Sequence, residues 1–280
     1  MKKILIFLFS CFIFSASGQQ NVANMRIGTY NLRMDTPNDE EDAWPNRKEM
    51  VKSLVLFHEF EIFGTQEGFK HQLDGILEIE KFAYVGGGRD DGKDAGEHSA
   101  IIYDKTRFTV LDKGDFWYAE NPEVPGKGWD AICCNRICSW AKFKDNVSGK
   151  EFYFFNSHYD HQGRVARLES SKLLLERMKK IVGDGTFFCT GDFNATPESE
   201  PIQVIYNDGM LIDSKLVSQK PPYGTVGTFN SFKLDSPMKD RIDYIFVSKD
   251  VKVEKYGVLN DSQYGRLPSD HFPVMIVALF

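Results

Sequence analysis

The sequence predicts an α/β fold in which two stacked β-sheets are flanked by helices. Nine apolar segments have the length and residue content of strands, whereas two segments show helical periodicity. Of the 280 residues, 42% are hydrophobic and 23 are Phe, whose flat rings pack well between sheets. No repeat, low-complexity tract or long linker divides the chain, so we expect a single domain.

The strand candidates follow one another along the chain, and each is a short apolar segment. They are residues 26–32, 61–66, 99–103, 108–111, 137–143, 152–157, 187–190, 241–247 and 273–279.

Two segments are predicted to be helical. The first helix is expected to begin near Pro45, since proline suits the first helical turn, and to place Met50, Leu54 and Phe57 on one face. A second, longer helix is expected over residues 164–182, where an aliphatic residue recurs every seven positions. Few helices beside many strands favour sheets that stack face to face.

Residues 1–18 have the pattern of a secretory signal, with two lysines, an apolar run and then small residues. The run is too short to span a bilayer, so residues 19–280 are expected to form the exported domain, in the periplasm or secreted. A lipoprotein signal ending at Cys11 is the less favoured alternative, because cleavage there would leave apolar residues at the new terminus.

The chain is acidic, and this charge bears on its partners. Losing two lysines with the first 18 residues would change the formal net charge from −6 to −8. Such a protein has no whole-surface attraction for polyanions, which argues against tight binding of long nucleic acid. A local basic patch or a bound metal ion could reverse the field at a site, so a short nucleic acid stays possible.

Four cysteines would remain after signal cleavage: Cys133, Cys134, Cys138 and Cys189. Their spacing lacks the paired C-x-x-C pattern of a zinc site. Cys189 lies in a buried strand candidate and is expected to be a core thiol. Export would permit disulfides, but the sequence does not decide whether any forms.

Six polar segments fall where apolar strands stop, which is where a rigid scaffold usually holds functional loops. They offer carboxylate, amide and imidazole groups without clustered thiolates, and such oxygen donors suit Mg²⁺ or Mn²⁺. The chain has neither the G-x-S-x-G elbow of a serine hydrolase nor a Walker loop. The segments are residues 29–31, 64–67, 156–161, 191–194, 240–244 and 269–271.

Taken singly, the residues of these segments also have structural explanations. Asn31 could satisfy the backbone of a turn, and Glu67 could be an ordinary surface acid. Asp192 and Asn194 could be turn residues, although an i, i+2 pair on an extended chain points both side chains the same way. Asp243 could pair with a neighbouring arginine instead of taking part in chemistry.

Together and in this order, the six segments resemble the endonuclease/exonuclease/phosphatase family, and the resemblance runs from Met25 to Phe280. Residues 158–169 and 86–97 are most similar to its deadenylase-like bacterial branch. The family implies a four-layer α/β sandwich, in which two stacked, mainly antiparallel sheets are flanked by helices. It also implies a metal-dependent phosphoesterase that uses Mg²⁺, with Mn²⁺ as the alternative.

The resemblance assigns residues to the metal, to the attacking water and to the phosphate. Glu67 would be the principal metal ligand, with Asn31 and Asp270 as direct or water-mediated supports. Asp192 would orient or deprotonate the attacking water, and Asn194 would bind a phosphate oxygen.

Two histidines complete the implied site. His271 would contact the phosphate while Asp243 orients its other nitrogen, and His158 would be the second imidazole, with Glu97 as the candidate that orients it. Arg89 could reach the phosphate or lie in a solvated turn. The remaining candidate, Asp160, could position metal or substrate, or could cap the helix that follows it.

The favoured function is hydrolysis of a phosphodiester or phosphomonoester, with a small phosphate ester or a short nucleic acid as substrate. A sphingomyelinase-like phospholipid hydrolase and a non-catalytic binding protein of the same fold are the alternatives. Carbohydrate hydrolysis by paired carboxylates ranks last, because it gives the histidines no role. We expect a monomer without stable membrane insertion.

Overall fold

The computed structural model describes residues 24–280, so the predicted signal segment lies outside the described residues. Two six-stranded sheets form the centre of the molecule. In spatial order the first sheet comprises β11 (Lys252–Val258), β12 (Val274–Leu279), β1 (Asn24–Asn31), β2 (Ile62–Gln66), β4 (Ile101–Asp104) and β3 (Phe82–Val85).

The second sheet is built in the same way as the first. Its spatial order is β5 (Phe108–Trp117), β6 (Ile137–Asp145), β7 (Glu151–His158), β8 (Phe187–Asp192), β10 (Asp243–Val247) and β9 (Ile212–Asp213). Among the described residues, each sheet has one parallel pair of strands, β1 with β2 and β7 with β8. The other pairs are antiparallel, which confirms two stacked, mainly antiparallel sheets.

Helices cover the outer faces, so the molecule has four layers as predicted. The helices α1 (Trp44–Phe57) and α2 (Lys70–Leu77) pack on the first sheet. The second sheet carries α3 (Arg164–Val182) and α4 (Glu200–Asp208). A 3₁₀ helix, Pro37–Asp42, precedes α1. Within residues 24–280 no helix combines the length and apolar character that crossing a bilayer requires.

The core between the sheets is rich in phenylalanine, as the composition predicts. Phe143, Phe152 and Phe154 of the second sheet are fully buried there against aliphatic side chains of the first sheet. Rings of this cluster meet edge to face or stacked, with centroids about 5 to 6 Å apart, for example 5.6 Å between Phe143 and Phe152. This apolar core fixes the distance between the two sheets.

A polar contact also joins the sheets near the end of this core. The buried Asn156 side chain of β7 donates to the carbonyl oxygens of Thr65 (2.8 Å) and Ala100 (3.0 Å). It accepts hydrogen bonds from Gln66 Nε2 (2.7 Å) and Thr190 Oγ1 (2.9 Å). A Cβ on Gly64 would lie 2.2 Å from Asn156 Oδ1, so this close approach requires glycine.

Several predicted elements need correction. Phe57 is 80% exposed, because the buried stripe of α1 runs through Val51, Leu54 and Val55, and Phe57 lies on the far side of the last turn. The strand predicted at residues 108–111 extends to Trp117, since it pairs with β6 along its whole length. The helices α2 and α4 and the strands β3, β9 and β11 were not predicted from the sequence, since most of them are short or interrupted by polar residues.

Candidate active site

The ends of several strands meet at one edge of the two sheets, and this explains why distant polar segments converge. Asn31 and Gln66 lie side by side at the ends of the parallel strands β1 and β2. His158 and Asp192 end the parallel strands β7 and β8 in the same way, and the antiparallel strand β10 begins at Asp243, opposite Asp192. Carboxyl ends of parallel strands share an edge, so their polar side chains face one cleft.

A cavity of about 550 Å³ opens at this edge. This volume is within the range of pockets that bind small molecules. Asn31 and Asp243 are buried behind its wall, and Asp160 is outside it. The cavity is lined by Arg33, Met34, Glu67, Arg89, Glu97, Cys133, Cys134, Arg136, His158, His161, Asp192, Asn194, Phe229, Ile242, Asp270 and His271.

Glu67 follows β2 with a positive φ of 63°, which turns its carboxylate into the cavity. Asn31 Nδ2 donates to Glu67 Oε1 (3.0 Å) and to Asp192 Oδ2 (3.0 Å), while the amide of Met34 donates to Glu67 Oε2 (3.1 Å). Burial raises the pKa of Glu67, but the charge of His271 and these hydrogen bonds lower it below its ordinary value. Asn31 therefore supports two carboxylates from opposite sheets.

Asp270 is the second acid on this side of the cavity. The Arg33 guanidinium lies 4.0 Å from Asp270 Oδ2 and 3.9 Å from Glu67 Oε2, and its closest partner is Asp39 at 2.8 Å. Burial raises the pKa of Asp270 to about 6, and the negative charge of Glu67 adds to this effect. Arg33 therefore only partly balances the two acids.

The donor set fits a divalent cation. Glu67, Asp192 and Asp270 supply hard oxygen donors, and burial, with a smaller effect from the charge of Glu67, raises the pKa of Asp192 and Asp270. A nearby divalent cation would favour their charged forms, and Mg²⁺ and Mn²⁺ prefer such donors. Ligand atoms of Glu67, His158 and Asp192 lie within 4.8 Å of one another, so the groups are close enough to share an ion.

Asp192 lies at the centre of the cluster. Its Oδ1 accepts from the amide of Asn194 (2.9 Å), and its Oδ2 lies 3.6 Å from His158 Nε2 and 3.9 Å from His271 Nε2. Burial raises the pKa of Asp192 to about 7, with a further contribution from the charge of Asp243. A carboxyl group with this pKa can accept a proton near neutral pH.

His271 is held by Asp243, as the resemblance implies. Its Nδ1 lies 2.9 Å from Asp243 Oδ2, which leaves Nε2 directed toward Asp192 and the cavity. Burial lowers the pKa of His271, but the charge of Asp243 and the hydrogen bond to it raise that pKa well above the ordinary value. The ring of Phe229 packs against the imidazole with centroids 5.1 Å apart. The geometry therefore presents a charged imidazole to the cavity.

His158 has a different environment, and Glu97 is not its direct partner. Glu97 Oε2 is 3.8 Å from His158 Nδ1, too far for a hydrogen bond, and it pairs with Arg89 at 2.6 Å instead. Arg136 Nη1 lies 3.0 Å from His158 Nδ1. Burial and the charge of Arg136 lower the pKa of His158 well below its ordinary value, so this imidazole is neutral. Burial also raises the pKa of Glu97 to about 7.

The contacts of two further predicted residues, Asn194 and Asp160, show where each of them lies relative to the cavity. Asn194 has a positive φ of 47°, lines the cavity and donates from Nδ2 to the carbonyl of Tyr159 (3.0 Å). Asp160 Oδ1 accepts from the amides of Gln162 (2.9 Å) and Gly163 (2.5 Å) just before α3. Both amides precede the first residue of α3, and the amides at the helix start donate to Asp130 instead, so Asp160 orders the loop before the helix and does not cap it.

Part of the cavity wall was not predicted from the sequence. Arg33 and Met34 follow β1, and Phe229 lies on a long loop without a periodic pattern that could have signalled it. Cys133 and Cys134 form a disulfide between adjacent residues, and Cys138 and Cys189 are buried thiols as expected for Cys189. The adjacent cysteines were visible in the sequence, but their position at the cavity was not.

Comparison with known proteins agrees with this architecture. The sequence profile of the Endonuclease/Exonuclease/phosphatase family matches residues 28–271. A family protein from Bacteroides thetaiotaomicron is 43% identical, with a TM-score of 0.89 over 92% of this chain and 98% of that chain. A mannosyl-6-phosphatase of B. thetaiotaomicron VPI-5482 is 44% identical, with a TM-score of 0.88 over 91% and 100% of the two chains.

A more distant structure is the catalytic domain of human Nocturnin with a bound sulfate anion. It is 18% identical, with a TM-score of 0.72 over 92% of this chain and 94% of that chain. At this identity the likeness shows the shared fold alone.

Proposed function

Because the chain belongs to the endonuclease/exonuclease/phosphatase family of metal-dependent phosphoesterases, we propose that it is an exported enzyme that uses Mg²⁺ to hydrolyse a small phosphate ester. The observation that carries this proposal is the arrangement of His158, Asp192 and His271. Their reactive atoms, His158 Nε2 and His271 Nε2, lie 3.6 and 3.9 Å from Asp192 Oδ2 at the base of one cavity.

The residues of the chain have distinct tasks in this proposal. Asp192 Oδ2, which lies between the two histidines at the base of the cavity, takes a proton from the attacking water. The charged His271 donates from Nε2 to a phosphate oxygen and stabilises the negative charge of the transition state. The neutral His158 donates a hydrogen bond to a second oxygen, and Asn194 lies where its amide can hold a third.

The acids of the first sheet, Glu67 and Asp270, would hold the cation, and Asn31 keeps Glu67 in place. When bound, a divalent cation supplies electrostatic stabilisation of the phosphate oxygens and of the leaving group.

The substrate class we propose is a phosphomonoester of a sugar. A relative of 44% identity that spans this domain bears the name mannosyl-6-phosphatase. The cavity of about 550 Å³ has room for a hexose phosphate, and the acidic net charge of −6 disfavours a long polyanion. Export is supported by the pattern of residues 1–18, and N-terminal sequencing of the secreted protein would test it.

The proposal predicts metal-dependent turnover that requires Asp192. Wild type and Asp192→Asn would be assayed with Mg²⁺ or EDTA on hexose 6-phosphates, p-nitrophenyl phosphate, bis-p-nitrophenyl phosphate, short RNA and DNA, and sphingomyelin. We expect wild type to prefer hexose 6-phosphate, and the variant to lose roughly 10²-fold or more in kcat, the usual contribution of a general base. Asp184→Asn, an exposed acid outside the cavity, is the matched control.

The substrate panel separates the alternatives. Preference for bis-p-nitrophenyl phosphate or oligonucleotides would indicate a phosphodiesterase, and turnover of sphingomyelin alone would indicate a phospholipid hydrolase. If wild type and Asp192→Asn were equally inactive on every ester, the chain would be a binding protein with the fold of the family.

A further inference from the structure

The disulfide between Cys133 and Cys134 lines the cavity, yet the proposed chemistry gives it no task. It closes a small covalent ring that includes the peptide bond between the two residues, and Cys133 is exposed. The two sulfur atoms are polarisable and carry no hydrogen-bond donor once they are joined. They therefore add an apolar surface to a cavity whose base is charged.

The segment that carries this disulfide is anchored on both sides. Before it, the Asp130 carboxylate accepts from the amides of Val165 (3.1 Å) and Ala166 (2.6 Å) at the start of α3. After it, Asn135 Nδ2 donates to Asp90 Oδ1 (3.2 Å), and the next residue, Arg136, contacts His158. The disulfide is thus part of a fixed wall of the cavity.

The cavity lining divides into two chemical parts. Its acids and histidines suit a phosphate with its cation, whereas the disulfide, Met34, Phe229 and Ile242 offer apolar surface without hydrogen-bond donors on their side chains. Phe229 keeps 37% of its surface exposed while it packs on His271. These donor-free side chains are the part of the lining available to contact a substrate beyond its phosphate.

We propose that the Cys133–Cys134 disulfide is a specificity-determining contact for the sugar ring of a hexose phosphate. The axial hydrogens of a hexose form an apolar face that fits a polarisable, donor-free surface, while the hydroxyl groups at its edge remain free for water. This inference rests on the proposed function, because it concerns the sugar from which the phosphate is removed. It predicts that the disulfide governs sugar binding and leaves phosphate binding unchanged.

The test compares wild type with the double variant Cys133→Ser/Cys134→Ser. For hexose 6-phosphate we expect KM to rise about tenfold with little change in kcat, the usual effect of losing one apolar contact in a specificity pocket. Acetyl phosphate, whose leaving group is too small to reach this wall, and inhibition by inorganic phosphate should both stay within about twofold of wild type. The control is Ile132→Ser, a neighbour that is 72% exposed and does not line the cavity.

Reduction of the wild-type protein provides an independent route should the double variant fold poorly. A phosphine reductant should raise the KM of wild type for hexose 6-phosphate to the level of the double variant, and should leave that variant unaffected. Removing the reductant and reoxidising the protein should restore the original KM. Circular dichroism before and after reduction confirms that the fold is retained.

The outcomes distinguish this inference from the proposed function. An unchanged KM for hexose 6-phosphate in the double variant or in reduced wild type overturns the inference, as does alkylation of both cysteines in protein that was never reduced. Wild type that hydrolyses acetyl phosphate with Mg²⁺ but no hexose 6-phosphate also overturns it and leaves the phosphoesterase in place. Absence of metal-dependent turnover on either substrate overturns both.

Discussion

The two histidines of the cavity are held in different charge states by their neighbours. His271 contacts the carboxylate of Asp243 at 2.9 Å, and this charge outweighs burial and raises its pKa. His158 is as deeply buried but lies 3.0 Å from the Arg136 guanidinium, so its pKa falls. One imidazole can therefore stabilise negative charge while the other serves as a neutral donor.

At this scale we predict that Asp243→Asn damages catalysis more than binding. The amide keeps the size of the side chain, but it removes the charge that keeps His271 protonated and can fix the wrong tautomer. We expect kcat to fall roughly 10²-fold or more, as when other histidines lose their orienting acid, with a small change in KM. Steady-state kinetics on the preferred phosphate ester would measure both constants.

Asp240→Asn is the matched control for that experiment, because it removes the same charge three residues earlier at an exposed position. If the kcat of Asp243→Asn stayed within about twofold of wild type, the role given to Asp243 would be contradicted, because general acid–base catalysis contributes far more than twofold.

At the scale of elements, the site depends on how β2 and β7 meet. Gly64 allows the close approach, and Asn156 of β7 then bonds two backbone carbonyls and two side chains in a fully buried position. Glu67 follows β2 and His158 ends β7, so the same contact sets the distance between residues on opposite walls of the cavity. Packing of strands thus positions the side chains to which the proposed function assigns catalytic tasks.

We therefore predict that Asn156→Ala destabilises the fold. The substitution removes one of the two acceptors of the buried Gln66 amide and the side-chain donor to the Thr65 carbonyl, which should cost about 3 kcal/mol in free energy of unfolding. Urea unfolding followed by tryptophan fluorescence would measure this loss. Asn207→Ala, at an exposed position of α4, should change the free energy by less than about 0.5 kcal/mol, and equal stability of the two variants would refute the argument.

At the scale of the whole molecule, the site exists only when both sheets are stacked. Of the residues expected to hold the cation, Glu67 follows β2 and Asp270 precedes β12 of the first sheet, whereas Asp192 and His158 end strands of the second. Asn31 bonds Asp192 and His271 bonds Asp243 across that division. Binding of a cation should consequently stabilise the native arrangement as a whole, since the unfolded chain cannot assemble these ligands.

We predict that Mg²⁺ raises the thermal unfolding temperature of wild type. At a tenfold excess over its dissociation constant, the ion should add about 1.4 kcal/mol, which corresponds to roughly 3 °C for a domain of this size. Glu67→Gln should lose most of this shift, measured by differential scanning calorimetry at constant ionic strength. Glu41→Gln, which removes a largely exposed acid, should keep it, and an equal shift in all three proteins would show that the site does not bind the ion.

The sequence by itself determined the type of fold and most of the polar residues that meet at the cavity. Asn31, Glu67, His158 and Asp192 come at the ends of apolar strands and Asp270 comes just before one, so the sequence shows both the strand and the polar group beside it. The convergence of these strand ends then follows from the family resemblance.

Only the tertiary structure decided which groups touch. Arg136 rather than Glu97 contacts His158, Asp160 bonds two amides of the loop before α3, and the Cys133–Cys134 disulfide becomes part of the cavity wall. These contacts join loops of different strands, and loops have no hydrophobic periodicity that could report where they fold back. Their partners are fixed by the stacking of the two sheets, which brings residues far apart in the chain into contact.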